Sequence, residues 1–163
     1  MELNSSIKPT STGGNVIREL GWMGTIPREI SDAMIDKAIL VRFSPGQSLY
    51  DPGDPAGGIY GVVEGAVRVR IATSETNSQL IGCFQTGAWI GQAPSINGTS
   101  RTMGFTAANN VQALHLPLHV VTALVQQSPG LGAALATLSE WNLNLALQAI
   151  AELTIPKVER RIA

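Results

Sequence analysis

The sequence predicts a mainly β protein of the barrel or jelly-roll type, flanked by short helices and followed by one long helix. Between residues 39 and 116, short apolar runs are separated by turn residues at regular intervals, as in closed or two-sheet β architectures. From residue 66 to 71 valines alternate with arginines, which indicates a strand with one buried face. After Pro117 the apolar residues recur at helical spacings, and this pattern continues to Pro156.

Turn residues mark out the individual elements. Pro45-Gly46 and the run 51–54 close the first two strands, and Glu64-Gly65 divides the next pair. The predicted strands are 39–43, 48–50, 59–73 with that turn inside it, 80–84, 105–107 and 111–116, and a hairpin turn is predicted at 75–78. The predicted helices are two short ones between Val16 and Ala38, one at 118–127, and a long one from Pro129 to about Ile155 that follows the N-cap Ser128.

Composition excludes several classes of protein. Hydrophobic residues make up 44% of the 163 residues and charged residues 14%, so the chain is globular. The net charge of −1 excludes DNA binding through bulk electrostatic attraction. Cys83 is the only cysteine, which excludes an internal disulfide and an iron–sulfur cluster, and we expect it to be a small core residue. The chain lacks a signal peptide and an apolar run of roughly 20 residues, so we expect a cytoplasmic protein with no membrane partner.

The long helix carries more apolar surface than the β body can cover. One stripe has the spacing of a coiled-coil seam and consists of Leu131, Leu135, Leu138, Asn142, Leu145 and Ala149. A second apolar face consists of Leu143, Leu147 and Ile150. Two faces imply two partners, so we predict a parallel homodimer in which Asn142 pairs with its symmetry mate and Leu138→Asp gives monomers. The alternative is a helix buried inside a monomer.

Several motifs follow one another in the order and spacing of a known family. They are Phe43-x-x-Gly46-x-x-Leu49 with Gly53-Asp54, then Tyr60-x-Val62-x-x-Gly65-x-Val67-x-Val69, then Gly87, Gly91-Gln92 and Arg101-Thr102, and finally Ser128-Pro129 with the long helix. From about Gly21 to Ala163 the chain resembles the cyclic-AMP receptor (CRP/FNR) family of bacterial transcription regulators. The resemblance implies an antiparallel β-roll, a double-stranded jelly roll like the cyclic-nucleotide-binding domain, and parallel dimerisation through the long helix.

The resemblance also implies a division of the chain. Residues 1–20 are a flexible N-terminal segment with the first helix, 21–128 the β-roll domain, 129–155 the dimerisation helix, and 156–163 a hinge. The hinge resembles the entry to a helix-turn-helix DNA-binding domain, and the chain stops there. We therefore expect a fragment or a protein that has lost its DNA-binding part, so that this chain alone does not bind DNA specifically.

The resemblance places an effector site around the glycine at position 91. An anion needs a cation and nearby donors, which Arg101 and the hydroxyl of Thr102 can supply, while Gly91 permits a close backbone approach next to a short helical turn at 94–96. The family usually has Glu after this glycine, where it holds the ribose hydroxyl. Here Gln92 keeps an acceptor oxygen without the charge.

The base-contacting position departs further from the family. A Thr-Ser pair of the dimer helix contacts adenine in the cyclic-AMP receptor, and Ala146-Leu147 stands there in this chain. Neither side chain can form a hydrogen bond, and relatives sense oxygen, carbon monoxide or small organic molecules with the same fold. We therefore predict a small anionic effector, with cyclic AMP or another cyclic nucleotide as the candidate, and no other cofactor.

Other functions compete with this interpretation. A haem sensor needs an axial ligand, but His115 lies in a strand and His119 opens a helix, so both are interpreted as structural. A cupin-like enzyme needs clustered His and Glu ligands, which these two do not supply, and no nucleophile–base pair stands out, so neither a metal site nor an enzyme is predicted. Trp89 is interpreted as core. A ligand-free dimerisation module with a decayed pocket remains an alternative.

Overall fold

The computed structural model describes residues 17–71 and 79–154. Residues 17–19 are helical and are followed by a 3-10 helix at Gly21–Thr25. The helices are α1 (Arg28–Lys37), α2 (Gln92–Asn97), α3 (Leu118–Gln127) and α4 (Pro129–Thr154). The strands are β1 (Ile39–Phe43), β2 (Ser48–Tyr50), β3 (Gly58–Glu64), β4 (Ala66–Ile71), β5 (Gln79–Gln85), β6 (Trp89–Ile90), β7 (Met103–Ala107) and β8 (Val111–Pro117).

The strands form two antiparallel sheets of four, as the jelly-roll prediction requires. In the described residues the first sheet has the order β1-β8-β3-β6 and the second the order β2-β7-β4-β5. The β1–β8 pair runs without interruption from Ile39 opposite His115 to Phe43 opposite Val111. Only β6 is missing from the sequence prediction, since a two-residue strand leaves no detectable alternation.

Side chains that point inward at alternate strand positions fill the space between the sheets. Val67 and Val69 of β4 point inward and are buried, while Arg68 between them is exposed, as the sequence predicts. The strand β8 contributes Val111 and Ala113 to the same core. This core holds the two sheets together and forms the floor on which the candidate site is built.

A second core lies between the first sheet and the helices. Trp22 and Trp89 meet edge to face in it, with ring centroids 6.3 Å apart, which confirms the interpretation of Trp89 as a core residue. Gly61 makes room for this pair, because a Cβ atom there would lie 2.5 Å from the Trp89 ring. Trp22 also donates a hydrogen bond from Nε1 to Thr137 Oγ1 of α4 at 2.9 Å, which ties the long helix to this core.

The seam predicted for dimerisation is corrected by this packing. Its first half, Leu131, Leu135 and Leu138, is buried in the second core of its own protomer. Asn142 is predicted to pair with its symmetry mate, but its Nδ2 donates a hydrogen bond to the carbonyl oxygen of Trp89 in its own protomer at 3.0 Å. The physical reason is that α3 and α4 pack back against the first sheet. The first half of the apolar stripe is therefore buried against the roll and is not available to a partner.

Cys83 also departs from expectation, because it is exposed rather than buried. It lies in β5, which pairs with β4 on one side only and is therefore the edge of the second sheet. The predicted turn at 75–78, the tail 1–16 and the hinge 156–163 lie outside the described residues. Among the described helices, none combines the length and hydrophobicity that crossing a bilayer requires.

The position of Leu138 yields a prediction about stability. Leu138 is 0% exposed, whereas Ala136, two residues earlier on the same helix, is exposed. Because Leu138→Asp buries a carboxylate among apolar side chains, we expect it to lower the free energy of unfolding by more than about 3 kcal/mol. Ala136→Asp, the matched control at an exposed position of the same helix, should change it by less than about 1 kcal/mol. Urea unfolding measures both, and a stable, monomeric Leu138→Asp variant would restore the seam assignment.

Candidate functional site

A cavity of about 750 Å³ opens between the second sheet, α2 and α4. Its volume falls in the range of small-molecule sites, about 300–1,000 Å³. Strand β5 and the edge of β7 form one wall, and the stretch of α4 from Ser139 to Ala149 forms the wall opposite. Five of the six predicted effector residues line it: Gly91, Gln92, Arg101, Thr102 and Ala146.

Arg101 is the buried cation of this cavity, with 3% of its surface exposed. Its Nη2 donates to the carbonyl oxygen of Gly58 at 2.8 Å, and its Cζ lies 3.6 Å from the centroid of the Tyr50 ring. Nη1 is buried and has no hydrogen-bond partner among the described residues. None of the described carboxylates forms an ion pair with Arg101. A buried charge without a counter-ion is costly, so this guanidinium is a site for an anion.

The backbone fixes the position of Arg101. Its N–H donates to the carbonyl oxygen of Asp54 at 2.8 Å, and its own carbonyl accepts from the Gly53 N–H at 2.7 Å. Both bonds attach it to the loop after β2, which explains why Gly53-Asp54 and Arg101 stand in one family pattern although they are far apart in sequence. The loop itself is closed by the Asp51 N–H, which donates to the Asp54 carboxylate at 2.8 Å.

Tyrosines and a histidine surround the guanidinium with neutral rings. Burial raises the pKa of Tyr50 well above its usual range, against the opposing effect of the Arg101 charge, and burial likewise raises the pKa of Tyr60. Burial lowers the pKa of His115, and the Arg101 charge adds to this effect, while a hydrogen bond to the Gly57 carbonyl opposes it. The rings of His115 and Tyr60 stack 4.3 Å apart. These groups therefore supply no negative charge that could neutralise Arg101.

Gly91 allows the guanidinium to approach the backbone. It has a φ of +91°, and a Cβ atom there would lie 2.7 Å from Arg101 Nη1 and 2.9 Å from the Gly58 carbonyl oxygen. Only glycine fits both the left-handed conformation and the space. The predicted short helical turn at 94–96 is the centre of α2, which starts directly after this glycine.

Gln92 and Thr102 flank the cation differently. Gln92 is buried, and its Nε2 donates to Ser139 Oγ of α4 across a long contact of 3.4 Å. Thr102 is exposed at the mouth of the cavity. The expected acceptor at position 92 thus lies where the roll and the long helix meet.

Ala146 and Leu147 are separated by the helix geometry. Ala146 lines the cavity, whereas Leu147 does not line it within its own protomer. The side chains of consecutive residues of an α-helix project about 100° apart, and at this point of α4 that rotation takes Leu147 out of the lining. The expectation that the two residues act together is therefore corrected for a single chain. The cavity side of α4 carries a stripe of small and polar residues, Ser139, Asn142, Ala146 and Ala149, with large apolar side chains beside it.

Sequence reasoning missed most of the apolar wall. Ile81 and Met103 line the cavity from the second sheet, and Trp141 and Leu143 line it from α4. The helical repeat of small residues at 139, 142, 146 and 149 was the available signal for the helix side. No pattern within the sequence indicates that β5 lies opposite that stripe. In the parts of the chain that the structure describes, no group of three His, Cys, Asp or Glu side chains is arranged to hold a metal ion.

The comparisons with solved structures identify the fold. The chain resembles the N-terminal domain of a transcriptional regulator from Streptomyces coelicolor A3(2), with 22% identity, a TM-score of 0.64, and coverage of 82% of this chain and 96% of that one. It resembles the Thermus thermophilus catabolite activator protein, with 19% identity, a TM-score of 0.67, and coverage of 82% and 62%. The regulatory domain of Toxoplasma gondii PKA, crystallised with cAMP, gives 16% identity, a TM-score of 0.70, and coverage of 82% and 49%.

The identities and coverages determine what these similarities show. The chain spans less than two thirds of the length of the last two structures, and at such identities the likeness shows the fold alone. The search of curated proteins found no match. A family model described as cyclic nucleotide-binding domain matches residues 40–128, more than half of the chain. This stretch includes Arg101 and all described strands except Ile39, the first residue of β1. The chain therefore belongs to the cyclic nucleotide-binding domain family.

Proposed function

We propose that the chain is the effector-sensing and dimerisation part of a CRP/FNR-type transcription regulator. The cavity binds a small anionic effector, for which the family makes cyclic AMP or another cyclic nucleotide the first candidate. Arg101 pairs with the negative group, and Gln92 and Thr102 complete the contacts around it. The chain acts in the cytoplasm as a sensor and not as an enzyme.

One observation carries this proposal. A guanidinium that is almost fully buried keeps Nη1 without a hydrogen-bond partner at the wall of a ligand-sized cavity. Such an arrangement raises the free energy of the unliganded protein, and an anion that pairs with it recovers that free energy on binding. This feature favours a ligand site over the alternative of a module whose pocket has decayed.

The cavity is lined by residues of both the roll and the long helix, so a bound effector would contact both. Gln92 contacts Ser139, and Asn142 contacts Trp89, so the roll and α4 are joined by polar contacts beside the site. An effector that touches both sides stabilises one arrangement of roll and helix over another, by as much as its affinity differs between them. In a complete regulator this preference sets the spacing of two DNA-binding domains attached after the helix.

Dimerisation uses the part of α4 that the roll leaves exposed. Leu147, Ile150 and Leu153 are exposed and lie outside the lining of the cavity. The resemblance of the sequence to the CRP/FNR family, which implies parallel dimerisation through the long helix, supports a second copy of the same helix as their partner. The proposed contact surface therefore begins beyond Asn142, later along the helix than the sequence pattern places it.

The anion site is tested by calorimetry with cyclic AMP and cyclic GMP. We expect Arg101→Ala to weaken binding of the nucleotide by about 2–5 kcal/mol, because it removes the partner of a buried phosphate. Arg68→Ala is the matched control, since Arg68 is exposed on the outer face of β4 and should leave binding unchanged. Circular dichroism confirms that both variants are folded. The absence of heat with both nucleotides on the wild type would remove cyclic nucleotides as candidates.

The ribose contact is tested by Gln92→Glu. A charged acceptor strengthens a hydrogen bond by about 1 kcal/mol over a neutral one, so cyclic AMP should bind roughly five- to tenfold more tightly. Gln85→Glu, which adds the same charge at the exposed end of β5 on the cavity rim, should not reproduce this gain. Equal effects of the two substitutions would indicate a general electrostatic influence instead of a ribose contact.

The dimer is tested by sedimentation velocity at micromolar concentration. The double variant Leu147→Asp with Ile150→Asp places four carboxylates in the proposed contact and should yield folded monomers, because like charges and lost apolar burial oppose association. Glu140→Asp, at an exposed position of α4, leaves the charge of the helix unchanged and provides the control. A wild-type chain that sediments as a monomer would contradict the dimer.

A further inference from the structure

We propose that the effector cavity takes an amphipathic organic monoanion, represented by a medium-chain carboxylate, with its charged end at Arg101 and its hydrocarbon body between β5 and α4. This inference rests on the proposed effector site and specifies the chemistry of its ligand. It concerns the part of the cavity beyond the cation, where the chain presents hydrocarbon surface to the ligand.

The charge of the cavity fits one negative charge. Among the residues that the structure describes, Arg101 is the only Arg or Lys side chain in its lining, and no Asp or Glu side chain lines it. Nη2 is already bonded to Gly58, which leaves Nη1 and the nearby Thr102 hydroxyl for the ligand. A single carboxylate satisfies these donors, and an uncharged molecule would leave the guanidinium unpaired.

The helix wall offers few hydrogen bonds for a nucleobase. Asn142 donates to the Trp89 carbonyl, and Ser139 donates to the Leu135 carbonyl while it accepts from Gln92. Ala146 and Ala149 present only methyl groups to the cavity. A purine placed along this stripe would lose water from its ring nitrogens and exocyclic group without gaining equivalent partners, which disfavours it relative to a hydrocarbon.

Exposed hydrophobic side chains are concentrated around this cavity. Of the eleven large hydrophobic residues that are exposed in the described parts of the chain, five line it: Ile81, Met103, Trp141, Leu143 and Leu145. They come from both walls, so a hydrocarbon body between them would be covered on two sides. Removing this surface from water is the favourable contribution that an apolar ligand body can make and a polar one cannot.

The dimensions place the charged end and the apolar end apart. Gly91 touches Arg101, and the next residue, Gln92, contacts Ser139, so the anion site is level with Ser139 on α4. The lining continues along the helix to Ala149, ten residues further, which corresponds to about 15 Å. This length exceeds that of a simple charged group and suits an extended chain or an aromatic body.

Calorimetry with hexanoate, octanoate and decanoate on the full chain tests the proposal, each below its aggregation concentration. Every added methylene should tighten binding about fourfold, since burying one contributes about 0.8 kcal/mol. Decanol, which has the same body without the charge, should bind at least tenfold more weakly than decanoate. Arg101→Ala should remove this preference for the acid over the alcohol.

A pair of neighbouring residues on β5 locates the hydrocarbon body. Ile81 and Leu80 have similar exposure, 53% and 59%, but only Ile81 lines the cavity. Ile81 is the extra residue at a β-bulge, because Leu80 pairs with Arg70 and Gly82 pairs with Val69. Ile81→Asn should weaken decanoate binding about tenfold and hexanoate binding less, while Leu80→Asn should change neither. Thermal melting of both variants checks that the edge strand remains folded.

The outcomes separate this inference from the proposed function. Binding of cyclic AMP that depends on Arg101, without binding of any carboxylate, overturns the inference and leaves the proposed function standing. An absence of binding by cyclic nucleotides and carboxylates alike overturns both. Carboxylate affinity that does not rise with chain length, or that is equal in Ile81→Asn and Leu80→Asn, also overturns the inference. A rising series that depends on Arg101 and Ile81 supports it.

Discussion

The structure depends on how one buried cation is held. The Arg101 guanidinium donates one hydrogen bond to the Gly58 carbonyl and lies over the face of the Tyr50 ring. Two backbone hydrogen bonds attach the residue to the loop after β2. These contacts fix the guanidinium without neutralising it, because the surrounding rings are kept uncharged by burial. The protein thus keeps a charge at the cavity wall whose most favourable partner is an external anion, and Gly91 is required to make space for it.

Different parts of the long helix have different surroundings. Its N-terminal half closes the second core with three buried leucines, and its middle forms a wall of the cavity. Its C-terminal part leaves large apolar side chains exposed. Because one rigid element contacts the core, the effector and the proposed second copy, a change at the cavity can alter the position of the whole helix. In the function proposed above, effector binding acts on dimer geometry through this helix.

Local patterns were sufficient for most of the fold. The alternation of Val67 and Val69 with arginines, and the punctuation by Gly and Pro, located the long strands within a few residues. The same reasoning failed for Leu138 and Cys83. A helical stripe shows that a face is apolar but not which surface covers it, and a strand pattern does not show whether the strand is central or at an edge.

The sequence by itself predicted the long helix and every described strand except β6, because spacing and residue type carry that information locally, and its resemblance to a known family predicted the set Gly91, Gln92, Arg101 and Thr102. Only the tertiary structure decided that Arg101 is buried without a counter-ion, that Asn142 bonds to Trp89, and that Ile81 faces α4 across a cavity. These facts depend on the packing of segments distant in sequence. The physical reason is that burial and charge compensation are properties of the assembled chain and of no single segment.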